Sequence, residues 1–298
     1  MSQGINVLSL FDGIAATKVA LDRLNVKVNR YYTSEIDKYA IQVVCANHEG
    51  VIQLGDIHGI TDVDIPDHID LLIGGFPCQD LSFAGHQKGF QEGTRSSLFF
   101  EFLRLLKEVQ PVWFLVENVR MRKDCEDMIS EALGVSPIMI NSNLVSAQNR
   151  RRNYWTNIPD VQQPRDRGLV MCDCLEPLPL KTREVMYTDV TLNGSSSGVI
   201  GHISKKPNQA TRIYATNGKS RCIIANGGGQ GSKTGLYAIP GDPVTYRKLT
   251  PRECEALQTF PLGYTDLLSC AQRYKCLGNS FTVDVVAHIL SYAFVSTP

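Results

Sequence analysis

The chain has 298 residues, 43% of them hydrophobic, enough to bury the core of one large domain or of a large domain with a smaller companion. Its 30 basic and 30 acidic residues cancel, which excludes bulk basicity as a basis for nucleic-acid binding; any polyanion site must be local, as in "NRRRNY" at 149–154 or the later Lys205, Lys206, Arg212, Lys219, Arg221 and Lys233. No apolar run approaches the ~18 residues of a membrane span, and the N-terminus lacks a basic stretch followed by an apolar one, so no membrane partner is expected and the protein is placed in the cytoplasm, with the nucleoid. Nine scattered cysteines suit a reducing compartment. Cys172 and Cys174 stand too close for a zinc half-site and no matching pair follows, so no metal is expected.

In chain order, "INVLSL", "VNRYYTSE", "VIQLGD", "IDLLIGG", "VWFLVEN", "PIMINSNLV" and "NYWTNI" read as strands. Between them "AATKVALDRL", "DKYAIQVVCANH", "LFFEFLRLLKEV" and "DCEDMISEAL" carry apolar residues at spacings of three and four, as helices do. This alternation predicts an α/β fold, a doubly wound, mostly parallel sheet with right-handed crossovers. From about residue 160 the texture changes to Pro, Gly, Ser and Asn, which predicts a smaller, loop-rich domain with little helix. Regularity resumes at "LTPRECEALQTF", where Thr250 can cap a helix, Pro251 can occupy its first turn and Glu253 can complete a capping box. The final "TVDVVAHILSYAF" reads as a helix returning to the first domain. The expected division is 1–160 with 277–298 against 161–276.

In open α/β sheets, ligands bind beyond the carboxyl ends of the strands. Such positions here carry "FDGIAA" after the first strand, Glu35 after the second, Gly55-Asp56-Ile57 after the third, Pro77-Cys78 after the fourth and Glu117-Asn118 after the fifth. A carboxylate at the end of the second strand suits a ribose diol, and Phe11 with Asp56 suits an adenine, so the rim fits an adenosine. Taken alone, Cys78 reads as core filling. At a Gly-Gly-Phe-Pro turn on this rim it reads instead as a thiolate able to attack an electrophilic ring carbon, with Glu117 placed to hold or donate a proton.

With these motifs in order, the chain resembles the cytosine-C5 DNA methyltransferases over essentially its whole length. "SLFDG", "SEIDKYA" and "GDI" are similar to the family's cofactor motifs, and "GFPCQDLS" to its nucleophile motif. "ENV", "QNRRRNY", "LTPRE" and "LGNSF" follow in the family's order. "LFDGIA", "RSSLFFEFLRLL" and "VSAQNRRRNYW" look most like the animal de novo enzymes, and the later part looks bacterial or phage-like. The resemblance implies an S-adenosylmethionine-dependent methyltransferase fold with 161–276 as a target-recognition domain. S-adenosyl-L-methionine would be held by Phe11, Asp12, Gly13, Glu35, Ile36, Asp56, Ile57 and Pro77, with Asn279 and Phe281 closing the pocket. Cys78 would attack cytosine C6 while Glu117 holds the N3 edge, and Arg150 and Arg152 would supply positive charge.

The target carbon is inaccessible in a duplex, so the resemblance also implies base flipping. The segment from Gln79 to Ser96, with Ser82, Lys88 and Arg95, looks like a loop that closes over the flipped base. Residues 208–239 resemble the recognition region of bacterial enzymes acting on GCGC. Arg212 would read guanine, Gln209 would fill the gap left by the cytosine, and Gly227, Gly228 and Gly229 would let the backbone approach DNA. Cys222, Asn226, Ala84 and Ala15 depart from the relatives' pattern. Double-stranded DNA is the expected partner; bacterial relatives act as monomers and the de novo enzymes assemble, so the oligomeric state stays open. Two other readings share these motifs: a tRNA cytosine-C5 methyltransferase, and an inactive DNA-binding scaffold. The missing Cys-Phe-Thr segment speaks against the first, and the intact Cys78, Glu117, Arg150 and Arg152 against the second.

Overall fold

Alternation of apolar side chains and short polar turns at the start of the chain produces β1 (Ile5–Leu10), α1 (Ala16–Arg23), β2 (Val28–Ser34), α2 (Lys38–Asn47) and β3 (Val51–Gln53). The computed structural model describes residues 4–77, 98–177, 183–184, 198–203, 209–225, 235–239 and 245–295. It continues with β4 (Leu71–Gly74), α3 (Leu98–Val109), β5 (Trp113–Val119), α4 (Lys123–Leu133), β6 (Ile138–Asn141) and β7 (Arg151–Thr156). The strands form one sheet in the order β3-β2-β1-β4-β5-β7-β6. Pairing is parallel from β3 through β5, and β7 runs antiparallel to both of its neighbours. The sheet is thus doubly wound and mostly parallel, as expected. Its order reverses between β1 and β4, the place where such sheets bind ligands.

Chain contacts divide the protein into two compact units. The first comprises Met1–Asn141, Arg151–Gln163 and Val285–Pro298, and the second Ser142–Arg150 and Pro164–Asp284. The "QNRRRNY" stretch is therefore split: Gln148 and Arg150 belong to the second unit, Arg152 to the first.

In the first unit, Leu8, Leu10, Tyr32, Leu72, Phe114 and Val116 from the strands pack with Phe99, Phe102 and Leu105 of α3 into one buried cluster. Burial of each such side chain stabilises the fold by about 1.5–3 kcal/mol before chain entropy is counted. Asp37 falls one residue outside α2 and caps it, its side chain accepting the Tyr39 N–H at 2.9 Å. α4 stops at Gly134, whose φ of 69° is the left-handed value that glycine adopts without cost. The expected strand "PIMINSNLV" is cut short, since β6 ends at Asn141 and Ser142–Leu144 form a 3-10 turn.

The second unit departs further from expectation. β8 (Arg183–Glu184), β9 (Val199–His202), β10 (Arg212–Tyr214), β11 (Leu236–Ile239) and β12 (Thr245–Arg247) form a second sheet in the order β8-β12-β11-β10-β9. After it come α5 (Pro251–Leu257), an unanticipated α6 (Cys270–Asn279) and α7 (Val283–Phe294), which from Val285 onward belongs to the first unit. The capping box at α5 forms as the sequence suggests: Thr250 Oγ1 accepts the Glu253 N–H, and Glu253 Oε2 accepts the Thr250 N–H at 2.8 Å. The glycine of "LGNSF" has a packing reason. A methyl group on Gly278 would lie 2.1 Å from the Ile224 carbonyl carbon and 2.2 Å from the Ala225 nitrogen, both main-chain atoms. Gly278→Ala is therefore expected to cost about 2–3 kcal/mol, read as a lowered urea midpoint. An unchanged midpoint would show that this approach is not close.

Candidate active site

Register brings the strand ends together. Leu10 pairs with Ser34 on one side and Gly74 on the other, Thr33 pairs with Gln53, and Gly74 pairs with Val116. The segments that follow the ends of β1 to β4, with Phe11, Glu35, Asp56 and Pro77, therefore leave the sheet along one edge, where Glu117, still within β5, follows Val116.

The turn after β1 is unusual in its backbone. Phe11 (φ 55°), Gly13 (φ 60°) and Ala15 (φ 57°) are all left-handed, a region that costs residues with a Cβ about 1–2 kcal/mol each. Strain of this kind concentrates at functional turns. The Gly13 N–H donates to Glu35 Oε2 at 2.8 Å, and the Ile36 and Asp37 N–H groups donate to Oε1, each at 2.8 Å. Three of the roughly four acceptor positions of this carboxylate are taken. About one is left for a ligand hydroxyl, rather than the two that a strand-end carboxylate offers in principle. Beside it the Ile36 side chain is 75% exposed, and Phe11 is half-buried. One outward acceptor flanked by two apolar side chains fits a nucleoside, so these residues are compatible with S-adenosylmethionine.

Two of the expected cofactor residues turn inward. The Asp12 carboxylate is 6% exposed and accepts hydrogen bonds from Ser9 Oγ (2.5 Å), Tyr31 OH (2.9 Å) and Thr33 Oγ1 (2.9 Å), so it faces the interior and not the rim. The Ile57 side chain lies in the core cluster. Asp56 stays exposed, but its Oδ1 accepts the His58 N–H at 3.1 Å and contacts His58 Nδ1 at 2.7 Å, and these hydrogen bonds hold its carboxyl below the ordinary aspartate value. His58 and Arg104 escape sequence reasoning. Arg104, on α3, donates to the carbonyls of Ile57 (3.1 Å) and Ile60 (2.9 Å) and fixes this loop. No local pattern marks either residue.

At the other side of the switch point, Phe76 packs on Phe99 with ring centroids 5.2 Å apart. Its carbonyl accepts Asn118 Nδ2 at 3.1 Å. Asn118, 2% exposed, thereby secures the backbone two residues before Cys78. Glu117 lies beside it, 9% exposed. Register pairs Glu117 with Tyr154 and Val119 with Arg152, which makes Arg152 a diagonal neighbour of Glu117. Arg152 Nε lies 3.0 Å from Glu117 Oε1. The two groups touch as an ion pair, yet Oε1 accepts no aligned hydrogen bond. Oε1 itself is out of solvent contact, so the pair leaves a buried carboxylate oxygen whose hydrogen-bonding capacity is not filled.

Arg150, expected beside the thiolate, has hydrogen-bond partners in the second unit. Nη1 reaches the Ile223 carbonyl (3.1 Å) and Cys222 Sγ (3.4 Å), while Nη2 donates to the carbonyls of Gly278 (3.3 Å) and Ser280 (2.7 Å), all within the second unit. Buried to 3% exposure, it pins two loops of that unit. Gln148, from the same motif, donates to the Leu257 carbonyl at 2.7 Å and to Gln258 Oε1 at 2.8 Å.

In that unit Asn279 is exposed at the end of α6, whereas Phe281 is buried. Arg212 projects to solvent from the start of β10, next to buried Ile213, and Gln209 opens a 3-10 turn (Gln209–Thr211) before it. Cys78, Gln79, Ser82, Lys88, Arg95, Gly227, Gly228 and Gly229 lie outside the described residues. Among the described residues no group of three or more potential metal ligands converges, and no helix is long and apolar enough to cross a membrane.

Comparison with known proteins extends this picture. The model of the C-5 cytosine-specific DNA methylase family matches residues 5–160 and 122–294. The type II methyltransferase M.HhaI of Haemophilus parahaemolyticus is 30% identical over 316 residues, covering 96% of this chain and 93% of that protein. M.NlaX of Neisseria lactamica, also a type II methyltransferase, is 32% identical over 301 residues, with 95% and 94% covered. Among solved structures, the Entamoeba histolytica methyltransferase EhMeth superposes with a TM-score of 0.73 at 18% identity, covering 98% of each chain, a likeness of fold.

Proposed function

We propose that this chain, which belongs to the C-5 cytosine-specific DNA methylase family and transfers a methyl group from S-adenosylmethionine to cytosine in DNA, does so through a transient bond between Cys78 and cytosine C6. The cytosine leaves the helix stack at a cost of about a few kcal/mol. The Cys78 thiolate then adds to C6 while Glu117 shares a proton with N3, which neutralises the charge that builds on the ring. Electron density displaced by the new C–S bond makes C5 nucleophilic. S-adenosylmethionine, held by Phe11, Glu35 and Ile36, would supply the methyl group from its sulfonium sulfur to C5, leaving as the neutral thioether S-adenosylhomocysteine. A base removes the C5 proton, the electron pair restores the ring double bond, and the C–S bond breaks to release the Cys78 thiolate.

One observation carries this reading. Glu117 stands at the rim, in contact with Arg152, beside the Asn118 that secures the Phe76 carbonyl, two residues before Cys78 in the sequence. Arg152 keeps the carboxyl group where it can share a proton with the ring nitrogen and accept from the exocyclic amine. On the donor side, Glu35 would grip the ribose with its remaining acceptor position, with Phe11 and Ile36 against the adenine. For the target we propose a short duplex site, GCGC, read in part by Arg212. Its exposure at the start of β10 leaves the guanidinium able to pair with a guanine edge. Lys88 and Arg95 would engage phosphates, and Gln209 and Gly227 to Gly229 would fill and approach the opened duplex.

Bisulfite sequencing of DNA from cells expressing the chain tests substrate and target together. Protected cytosines confined to GCGC are expected. Modification of another motif with GCGC untouched would refute the specificity, and labelling of tRNA alone in a parallel assay would refute the DNA substrate.

A further inference from the structure

The face of the first sheet opposite the main core cluster carries a polar row at its ligand-binding edge. Leu8, Leu10, Tyr32 and Ile52 point into the cluster. Alternation therefore turns Ser9, Tyr31, Thr33 and Gln53 the other way, and register sets Ser9 opposite Thr33 and Thr33 opposite Gln53. The Asp12 carboxylate collects three hydroxyls from this face: Ser9 and Tyr31 donate to Oδ1 and Thr33 donates to Oδ2. Its main chain is engaged as well, the N–H donating to the Ser34 carbonyl at 3.2 Å and the carbonyl accepting the Ala15 N–H at 3.1 Å. Asp12 thus sits inside the strained turn, between left-handed Phe11 and left-handed Gly13, and ties it to two strands.

We propose that Asp12 is a positioning residue of the methyl-donor site, whose carboxylate never touches the donor but holds Phe11 and the Gly13 N–H in place by fixing three hydroxyls of β1 and β2. The inference rests on the assignment of this rim to S-adenosylmethionine. A carboxylate only accepts, so while ionised it requires all three hydroxyls to point inward, and the turn then has a single arrangement. A carboxamide offers one accepting oxygen, and its nitrogen must donate where a hydroxyl already donates. A stability role alone would not favour the charge. Burial pushes the Asp12 carboxyl up to about 6; the hydroxyls of Ser9, Tyr31 and Thr33 pull against that, and nearby Glu35 adds to it. Because the folded value is raised, the stability this group contributes is present below its ordinary value near 3.8 and is lost as the pH rises through about 6. Near neutrality the ionised form therefore weakens the fold, which makes sense if the charge serves binding. The other titratable groups facing it are Tyr31 and Glu35, and on α1 Lys18 is paired with Asp22 at 2.5 Å.

The test is calorimetric titration of the full-length protein with S-adenosylmethionine, for wild type, Asp12→Asn, Tyr31→Phe and Thr33→Val. Asp12→Asn and Tyr31→Phe are each expected to weaken binding about tenfold and to raise KM for the donor by the same factor, with kcat at saturating donor within about twofold. Wild-type affinity should fall between about pH 7.5 and about pH 5, and Asp12→Asn should lack that fall while melting no lower than wild type near neutrality. Loss of affinity in Asp12→Asn with Tyr31→Phe and Thr33→Val unaffected would overturn the inference, since the carboxylate would then contact the donor itself. Unchanged affinity with a lowered melting temperature would also overturn it, leaving a merely structural role. If Asp12→Asn does not fold, Tyr31→Phe, which removes one hydroxyl and keeps the ring, decides alone. A wild-type protein that binds no donor would instead overturn the assignment of the rim.

Discussion

Cys78→Ala is expected to lower methyl transfer to DNA by on the order of 10⁴-fold or more, while leaving donor affinity and the melting temperature close to wild type. Unactivated C5 of cytosine is a poor nucleophile, and the proposed mechanism depends on the C6–sulfur bond to change that. Removing the sulfur therefore removes the reaction pathway, not one contribution to it. Donor affinity is spared because the groups proposed to hold the donor, at Phe11, Glu35 and Ile36, do not include this side chain. Steady-state transfer of a labelled methyl group to duplex DNA, set beside a binding titration, separates the two effects. Appreciable turnover in Cys78→Ala would remove the covalent mechanism. No turnover by wild type on any DNA would return the chain to the scaffold reading.

Glu117→Gln is expected to cost about 10²–10⁴-fold in kcat, with a smaller change in KM for DNA. Glu117 shares its proton with the cytosine edge as negative charge develops in the ring, so its contribution falls on the transition state more than on binding. A second effect accompanies the first. Arg152, with Nε 3.0 Å from Glu117 Oε1 and both side chains largely buried, loses its counter-charge, which is expected to reduce stability by about 1–3 kcal/mol. Activity must therefore be normalised to folded protein. Arg152→Ala in a double-mutant cycle with Glu117→Gln then shows whether the two act as one unit. A Glu117→Gln enzyme with wild-type kcat would exclude the carboxylate from the chemistry.

The parallel sheet and its rim are legible in sequence because a residue that an apolar strand seldom holds stands within three residues of each strand end: Glu35 directly after β2, Asp56 three residues after β3, Pro77 three residues after β4, and Glu117 two residues before the end of β5. The α5 capping box is legible for the same reason, since its signal lies within four residues. Long-range partners leave no such trace. Whether Asp12 faces ligand or interior depends on hydroxyls 19 and 21 residues away, and Arg150 is claimed by carbonyls 73 to 130 residues away. The second sheet is hidden differently, because its strands have only two to four residues, too few to display an alternation. In α6 the buried residues Cys276, Leu277 and Gly278 are consecutive, so no stripe at spacings of three and four announces a helix.

The bond between Cys78 and cytosine C6 is the central step, and one measurement addresses it directly. Incubation with S-adenosylmethionine and a duplex carrying 5-fluorocytosine at the target blocks removal of the C5 substituent and so arrests the final elimination. The expected result is a stable protein–DNA adduct that requires the methyl donor, with the modified peptide containing Cys78 by mass spectrometry. Efficient methylation of the unfluorinated duplex without any trapped adduct, or an adduct at a different residue, would contradict the account.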